Sequence, residues 1–324
     1  MNIVRSSWLK LALAAVVFAS GAAHAQYPER PIRILNGFAA GGAFDLVARI
    51  IAQKITEKDP RWNFIVENKP GADGRIATGE CAKAAPDGYT ICIGASSSNA
   101  IHAGVFRQLP YDLVNDFLPL FFVGGSANVI VAQANAPFNT VAELVKYAKA
   151  NPKSISYASS GNGTSAHIGG ELFNQMADVG FLHVPYKGGA PAVTAAIGGQ
   201  TTILVSTMSN VEAHINQGKL KALAVTSLQR DPVLPNVPTV AETIPGYSIG
   251  NWYAFFAPAK LPPAIANELY SRMKAAAELP EVKSFLEKRG IMTTIMTQAE
   301  FRNFHKAEID KYKAVANKAN IDLQ

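Results

Sequence analysis

Phe38-Ala39-Ala40-Gly41-Gly42-Ala43-Phe44-Asp45 and Ser159-Ser160-Gly161-Asn162-Gly163-Thr164-Ser165-Ala166-His167 are the stretches on which the reading of the fold turns. Each follows a short apolar run with strand character, Ile32-Arg33-Ile34-Leu35 and Ile155-Ser156-Tyr157-Ala158, and precedes residues with helical spacing. Glycine permits a sharp turn and removes the Cβ that would hold a ligand off the backbone. The following helix offers unpaired N–H groups and the positive end of its dipole, which suits an anion. Two such corners, far apart in sequence, predict two lobes that each hold part of a small carboxylate.

Strand-like and helical runs alternate outward from both corners. Ile32–Leu35 leads to a helix over Leu46–Ile55, then to Phe64–Glu67, a helix over Ile76–Ala85 and the strand Tyr89–Ile93. This βαβαβ rhythm predicts a parallel sheet with helices on its faces. It resumes with the strand Val129–Ala132 and a helix opened by Thr140, with Glu143 three residues on as in a capping box. The strands Ile155–Ala158, Leu182–Tyr186, Ile203–Val205 and Ala222–Thr226 follow, with helices over His167–Ala177 and Pro191–Ile197. Trp252–Phe256 reads as an apolar strand, with Trp252 as packing, and helices over Pro263–Glu278 and Gln298–Ala319 finish the chain. The fold class is therefore α/β and two-lobed, each lobe a mixed, mostly parallel sheet flanked by helices. Crossings near Gly124–Asn128 and Gly246–Asn251 divide it into a first lobe of residues 26–126 and 250–324 and a second of residues 127–249.

The N-terminus is set apart from the fold. Arg5 and Lys10 precede the apolar stretch Leu11–Ala19, and Ala23-His24-Ala25 is a small-residue cleavage site, the layout of a secretory signal peptide over residues 1–25. Its apolar core is shorter than the ~20 residues needed to span a bilayer. Removal leaves 299 residues from Gln26, with the formal charge lowered from +6 to +4 by loss of two basic residues. Two domains of ordinary size fit that length, and a hydrophobic fraction of 48% argues against disorder. No later run has the length of a membrane span; Phe117–Val131 comes nearest but is broken by Pro119, Gly124 and Gly125. The mature chain is expected to be soluble, periplasmic and monomeric. Lys and Arg between Arg302 and Lys318 alternate with acids as on a solvated helix face, so no nucleic-acid partner is expected.

Little points to catalysis. Cys81 and Cys92 fit no zinc spacing and read as buried free thiols, which an oxidising compartment would join only if their Cα atoms lay close. His102, His167, His183, His214 and His305 carry no metal-binding spacing, so neither metal nor cofactor is expected. G-x-S-x-G, G-x-G-x-x-G and P-loop motifs are missing, which leaves a carboxylate hydrolase or isomerase as a distant rival.

Ordered motifs along the whole mature length carry a family resemblance. They include Tyr27-Pro28-Glu29-Arg30-Pro31-Ile32, Phe38 to Asp45, Val66-Glu67-Asn68-Lys69-Pro70-Gly71-Ala72 and Pro86-Asp87-Gly88-Tyr89-Thr90. Gly161 to His167, His183-Val184-Pro185-Tyr186-Lys187-Gly188-Gly189, Leu223-Ala224-Val225-Thr226 and Val237-Pro238-Thr239-Val240-Ala241-Glu242 follow. The chain resembles the periplasmic solute-binding proteins of tripartite tricarboxylate transporters, the Bug proteins. That resemblance implies a clamshell of the type II periplasmic-binding kind, with its ligand passed to membrane permease subunits; presentation to a signalling sensor is the alternative. It also implies that backbone N–H groups and waters of the two turns, Phe38, Ala39, Ala40, Gly41 and Gly42 on to Asp45, and Ser160, Gly161, Asn162, Gly163 and Thr164, hold the ligand carboxylate. Three positions depart from the family pattern: Gly37 for Pro, Phe44 for Ser or Thr, and Thr202 for Asp.

Five further residues join the candidate site. Phe44, inside the first turn, suggests a ligand whose far end is apolar or aromatic. Asp45 is expected to organise the turn, as a cap or through a water, rather than to touch an anion. His167 sits in the first helical turn and is ligand contact or structural support. Tyr186 is carried to the cleft by a strand–turn–helix corner. Ser97 follows a strand at the carboxyl edge where open α/β sheets bind ligands, although a plain surface loop fits it equally.

Overall fold

Residues 27–321 are described by a computed structural model, and the leader expected at residues 1–25 lies outside them. Among the described residues no helix is long and apolar enough to cross a membrane.

Two sheets share one long strand. β1 (Ile32–Asn36), β2 (Phe64–Asn68) and β3 (Thr90–Ala95) are parallel, linked through helices α1 (Ala43–Lys58) and α2 (Arg75–Lys83). β4 (Phe117–Gln133) runs through both sheets, followed by α4 (Val141–Ala150); β5 (Ser156–Ser159) is parallel to β6 (Leu182–Pro185) and β7 (Ile203–Thr207). Helices α5 (Ser165–Ala177) and α6 (Gly189–Ile197) make those crossovers, and α7 (Met208–Asn216) leads to β8 (Leu220–Val225). β9 (Gly250–Pro258) pairs antiparallel with β3 and with Phe117–Ala127 of β4, while Asn128–Gln133 pairs with β7 and β8. The sheet order is β2-β1-β3-β9-β4-β7-β5-β6. Both sheets are thus mixed, parallel at β2-β1-β3 and at β7-β5-β6 and antiparallel around β4.

Apolar patterning explains the layers. Val47, Ala48, Ile51, Ala52 and Ile55 recur at helical spacing on α1 and are buried against Ile32 and Ile34 of β1. Helices α8 (Pro263–Ala277) and α9 (Pro280–Glu287) complete that core through Leu269, Met273, Val282 and Leu286. The expected cap of α4 is present: Thr140 Oγ1 accepts the Glu143 N–H at 3.1 Å and Glu143 Oε2 accepts the Asn139 N–H at 2.7 Å. The last helix, α10 (Gln298–Lys318), begins with a Thr297–Glu300 capping box and lies against the first sheet. There Trp252 Nε1 donates to Glu308 Oε2 at 3.1 Å, so Trp252 is buried packing with one polar anchor.

Two expectations are corrected. Cys81 on α2 and Cys92 on β3 are joined by a disulfide rather than free, because α2 packs onto the sheet with the Cα atoms 6.1 Å apart. The residues after β3 form no surface loop: Ser97–Ile101 winds as a wide helical turn into α3 (His102–Val105), with Ser96, Ser97, Ser98 and Asn99 all buried. His305 Nε2 donates to the Asn99 carbonyl at 2.6 Å and fixes that turn from α10.

Candidate ligand-binding cleft

A cavity of about 900 Å³ lies between the two sheets, within the size range of small-molecule sites. The first sheet contributes Phe38, Ala39, Gly41 to Phe44, Leu46, Asp73 and Ser97. From the second come Ser160, Thr164 to Ala166, Gly189, Thr207 to Asn210, Glu212 and Val233. Ser126 and Asn128 of β4 and Asn251 and Tyr253 of β9 line it where the sheets meet, and Lys288 to Gly290 reach it from beyond α9.

In the first corner, most N–H groups of the turn itself are already occupied. Phe38 donates to Asn36 Oδ1 at 3.1 Å, Gly41 to Asp45 Oδ2 at 2.9 Å and Gly42 to the Ala39 carbonyl at 3.2 Å. Gly42 is the N-cap of α1 and supplies no side-chain cap, so the donors left for an anion include the N–H groups of Ala39 and Ala40 in the turn and those of Ala43 and Phe44 at the helix start. Asp45 is the organiser. Buried, it also accepts from Asn68 Nδ2 and Arg49 Nε, each at 2.9 Å. Burial alone would raise its pKa, but the bonds from Arg49, the Gly41 N–H and Asn68 outweigh burial and hold it below the ordinary carboxylate range.

The second corner follows the same logic. Gly161 donates to Ser159 Oγ at 3.1 Å and Gly163 to His167 Nδ1 at 3.1 Å, so both glycine N–H groups point into the turn. Thr164 caps α5 through the His167 N–H at 3.3 Å, leaving the first N–H groups of α5, at Ser165 and Ala166, toward the cleft. His167 stacks on His183 with centroids 4.0 Å apart, and His183 Nε2 meets Ser159 Oγ at 2.6 Å. Burial lowers the pKa of His167 to about 4; burial and then its neighbour His167 lower that of His183 to about 3.

These imidazoles set a pH limit. Burial also lowers the pKa of His305. With folded pKa values below the unfolded value of about 6.5, the unfolded chain binds more protons. Their contribution is complete above about pH 6.5 and is lost as pH falls toward 4 and 3. We expect the calorimetric Tm to drop from pH 6.5 to pH 4; a flat Tm there would contradict neutral, buried rings. Protonated His167 also cannot accept the Gly163 N–H, so the second corner loosens in the same window.

Polar side chains tie the sheets together beneath the corners. Ser165 Oγ and Ser96 Oγ both donate to Asn251 Oδ1, at 2.9 and 3.3 Å, and Asn128 Nδ2 donates to Ser165 Oγ at 3.1 Å. Buried Asn128 interrupts the apolar run of β4, and Asn251 opens that of β9. That interruption is the signal that extends a sequence reading to them; Ser165 and Ala166 lay inside the second glycine-rich stretch without being singled out, and Asp73 and Met208 carried no signal.

Of the residues singled out in the sequence, Phe38, Ala39, Gly41, Gly42, Phe44, Ser97, Ser160 and Thr164 line the cavity. Ala40, Asp45, Gly161, Asn162, Gly163, His167 and Tyr186 are not among its lining residues. Asp45, Gly161, Gly163 and His167 brace the corners from within, and the Tyr186 hydroxyl donates instead to Gln200 Oε1 at 3.3 Å. Among the described residues no group of His, Cys, Asp and Glu is arranged to hold a metal ion.

Comparison with known proteins places this architecture. Residues 47–321 match the model of the tripartite tricarboxylate transporter family receptor. Protein BugT of Bordetella pertussis is 31% identical over 300 residues, covering 92% of each chain. The structure of R. palustris Rpa4515 with adipate superposes with a TM-score of 0.79 at 30% identity, over 92% of this chain and all of that one. The periplasmic binding protein BugD gives 0.75 at 31% identity, with the same coverage. With that match over most of its length, and the periplasmic-binding-protein fold of those structures, the chain belongs to the tripartite tricarboxylate transporter receptor family of solute receptors, the family of the Bug proteins.

Proposed function

We propose that this protein is exported through the leader at residues 1–25 and binds a small organic carboxylate, as a periplasmic monomer, between two lobes. The lobes are residues 26–126 with 250–324, and residues 127–249. The ligand is handed unchanged to the membrane permease subunits of a tripartite tricarboxylate-type transporter. One observation carries this reading: the starts of α1 and α5, one from each sheet, converge on the same cleft with N–H groups left over. The adipate bound by the R. palustris relative supports a carboxylate.

Magnitudes are consistent with reversible capture. Each hydrogen bond to a charged oxygen is worth roughly 1.5–3 kcal/mol net. Four of them, less ordering and desolvation, leave about −8 kcal/mol, a micromolar Kd. No cofactor or catalytic group is needed. The test is thermal-shift screening of the mature protein against mono-, di- and tricarboxylates, with mass spectrometry of the recovered ligand. We expect stabilisation by an acid that is recovered unchanged; conversion of the bound acid, or stabilisation only by uncharged solutes, would refute the reading.

A further inference from the structure

The first corner carries more than N–H groups. The Phe38 and Phe44 rings stack with centroids 4.2 Å apart and an interplanar angle of 20°, and Tyr253 continues the stack 4.6 Å from Phe44. All three line the cavity. Phe38 and Phe44 remain half-buried, with surface to offer a ligand, while the Tyr253 hydroxyl is held 3.2 Å from Ser126 Oγ. Phe44 therefore joins two roles in one residue. Its N–H lies at the uncapped start of α1 and its ring forms the wall beside it. An anion held by that N–H has its next atoms within one side chain's reach of the ring wall.

Charge in the cleft argues against a second anionic group. Asp73 and Glu212 line it, offsetting the exposed Lys288 and Arg289. Arg289 is further committed: it lies 3.6 Å over the Phe285 ring and donates to the Phe285 carbonyl at 2.7 Å. A dianion gains no net field here, whereas an apolar ring gains area against three aromatic side chains.

Building on the carboxylate reading above, we propose that the ligand is an aryl monocarboxylate, with its carboxylate on the ring or one carbon removed, and that Phe44 sets this preference. The experiment is calorimetric titration of the mature wild type, Phe44→Ser and Phe44→Leu with benzoate, phenylacetate, adipate and malate, after a thermal melt of each variant. In the wild type, at least one aryl acid should bind tenfold or more tighter than either aliphatic diacid. Phe44→Ser should weaken the aryl acids at least tenfold and lower the ratio of aryl-acid to diacid affinity by severalfold. Phe44→Leu, which keeps apolar volume against the core beneath, should stay folded and still weaken the aryl acids severalfold.

Tighter binding of adipate or malate than of both aryl acids, or unchanged aryl affinity in a folded Phe44 variant, would overturn the proposal and leave the carboxylate reading standing. Absence of binding by all four acids in the folded wild type would overturn the aryl proposal, and the carboxylate reading would fall with it only if the wider screen of mono-, di- and tricarboxylates also found no acid that binds.

Discussion

Valine at Gly41 or at Gly163 is expected to cost ligand binding about 100-fold or more, roughly 2.7 kcal/mol, while the protein remains folded. Gly41 has φ of 77° and Gly163 φ of 76°, left-handed conformations that β-branched residues almost never adopt. Each angle aims one N–H inward, Gly41 at Asp45 Oδ2 and Gly163 at His167 Nδ1. Driving either residue to negative φ breaks that bond and displaces the adjoining helix start, where the free donors are. A single such residue costs the fold about 1–2 kcal/mol, and for a chain of this size that is a fall of only a few degrees in Tm. Calorimetry with the acid that binds wild type best, alongside circular dichroism, separates the two effects. Wild-type affinity in both variants would contradict the assignment of the corners.

The same geometry shows what sequence could reveal. Glycine pairs after short strands marked both corners, yet only conformation distinguishes Gly41 from Gly42, whose φ of −74° makes no demand for glycine. The turn N–H groups looked like the donors; in the structure several are consumed internally, and the set of free ones shifts toward the first turns of α1 and α5. That shift depends on where the Asp45, Ser159 and His167 side chains point, which periodicity does not encode.

Alternation of strand and helix made the outer, parallel parts of both sheets legible. The junction was not. β4 reads as an apolar run broken by Pro119, Gly124 and Gly125, but it is one strand whose glycines accommodate a close neighbour. A Cβ at Gly124 would collide with the Met292 carbonyl oxygen of the short strand Met292–Thr293. The residues Lys288 to Gly290 after α9 join the site through tertiary packing alone, and tertiary packing also brings Cys81 and Cys92 together, away from the site.

The second large effect concerns charge. A carboxylate presents two charged acceptor oxygens to the N–H groups of both corners, whereas its primary amide offers one neutral acceptor and turns an NH₂ donor toward donors. Charged bonds are worth roughly twice neutral ones, and each donor left unpaired in a closed site costs about 1–3 kcal/mol more. An amide should therefore bind at least about 100-fold more weakly than its acid at neutral pH.

Gripping of a negative headgroup between two helix starts is thus tested by one paired titration, benzoate against benzamide and adipate against adipamide, on the same preparation of mature protein. The account predicts measurable heat for an acid and none for its amide at matched concentration. Equal affinity of acid and amide would contradict it.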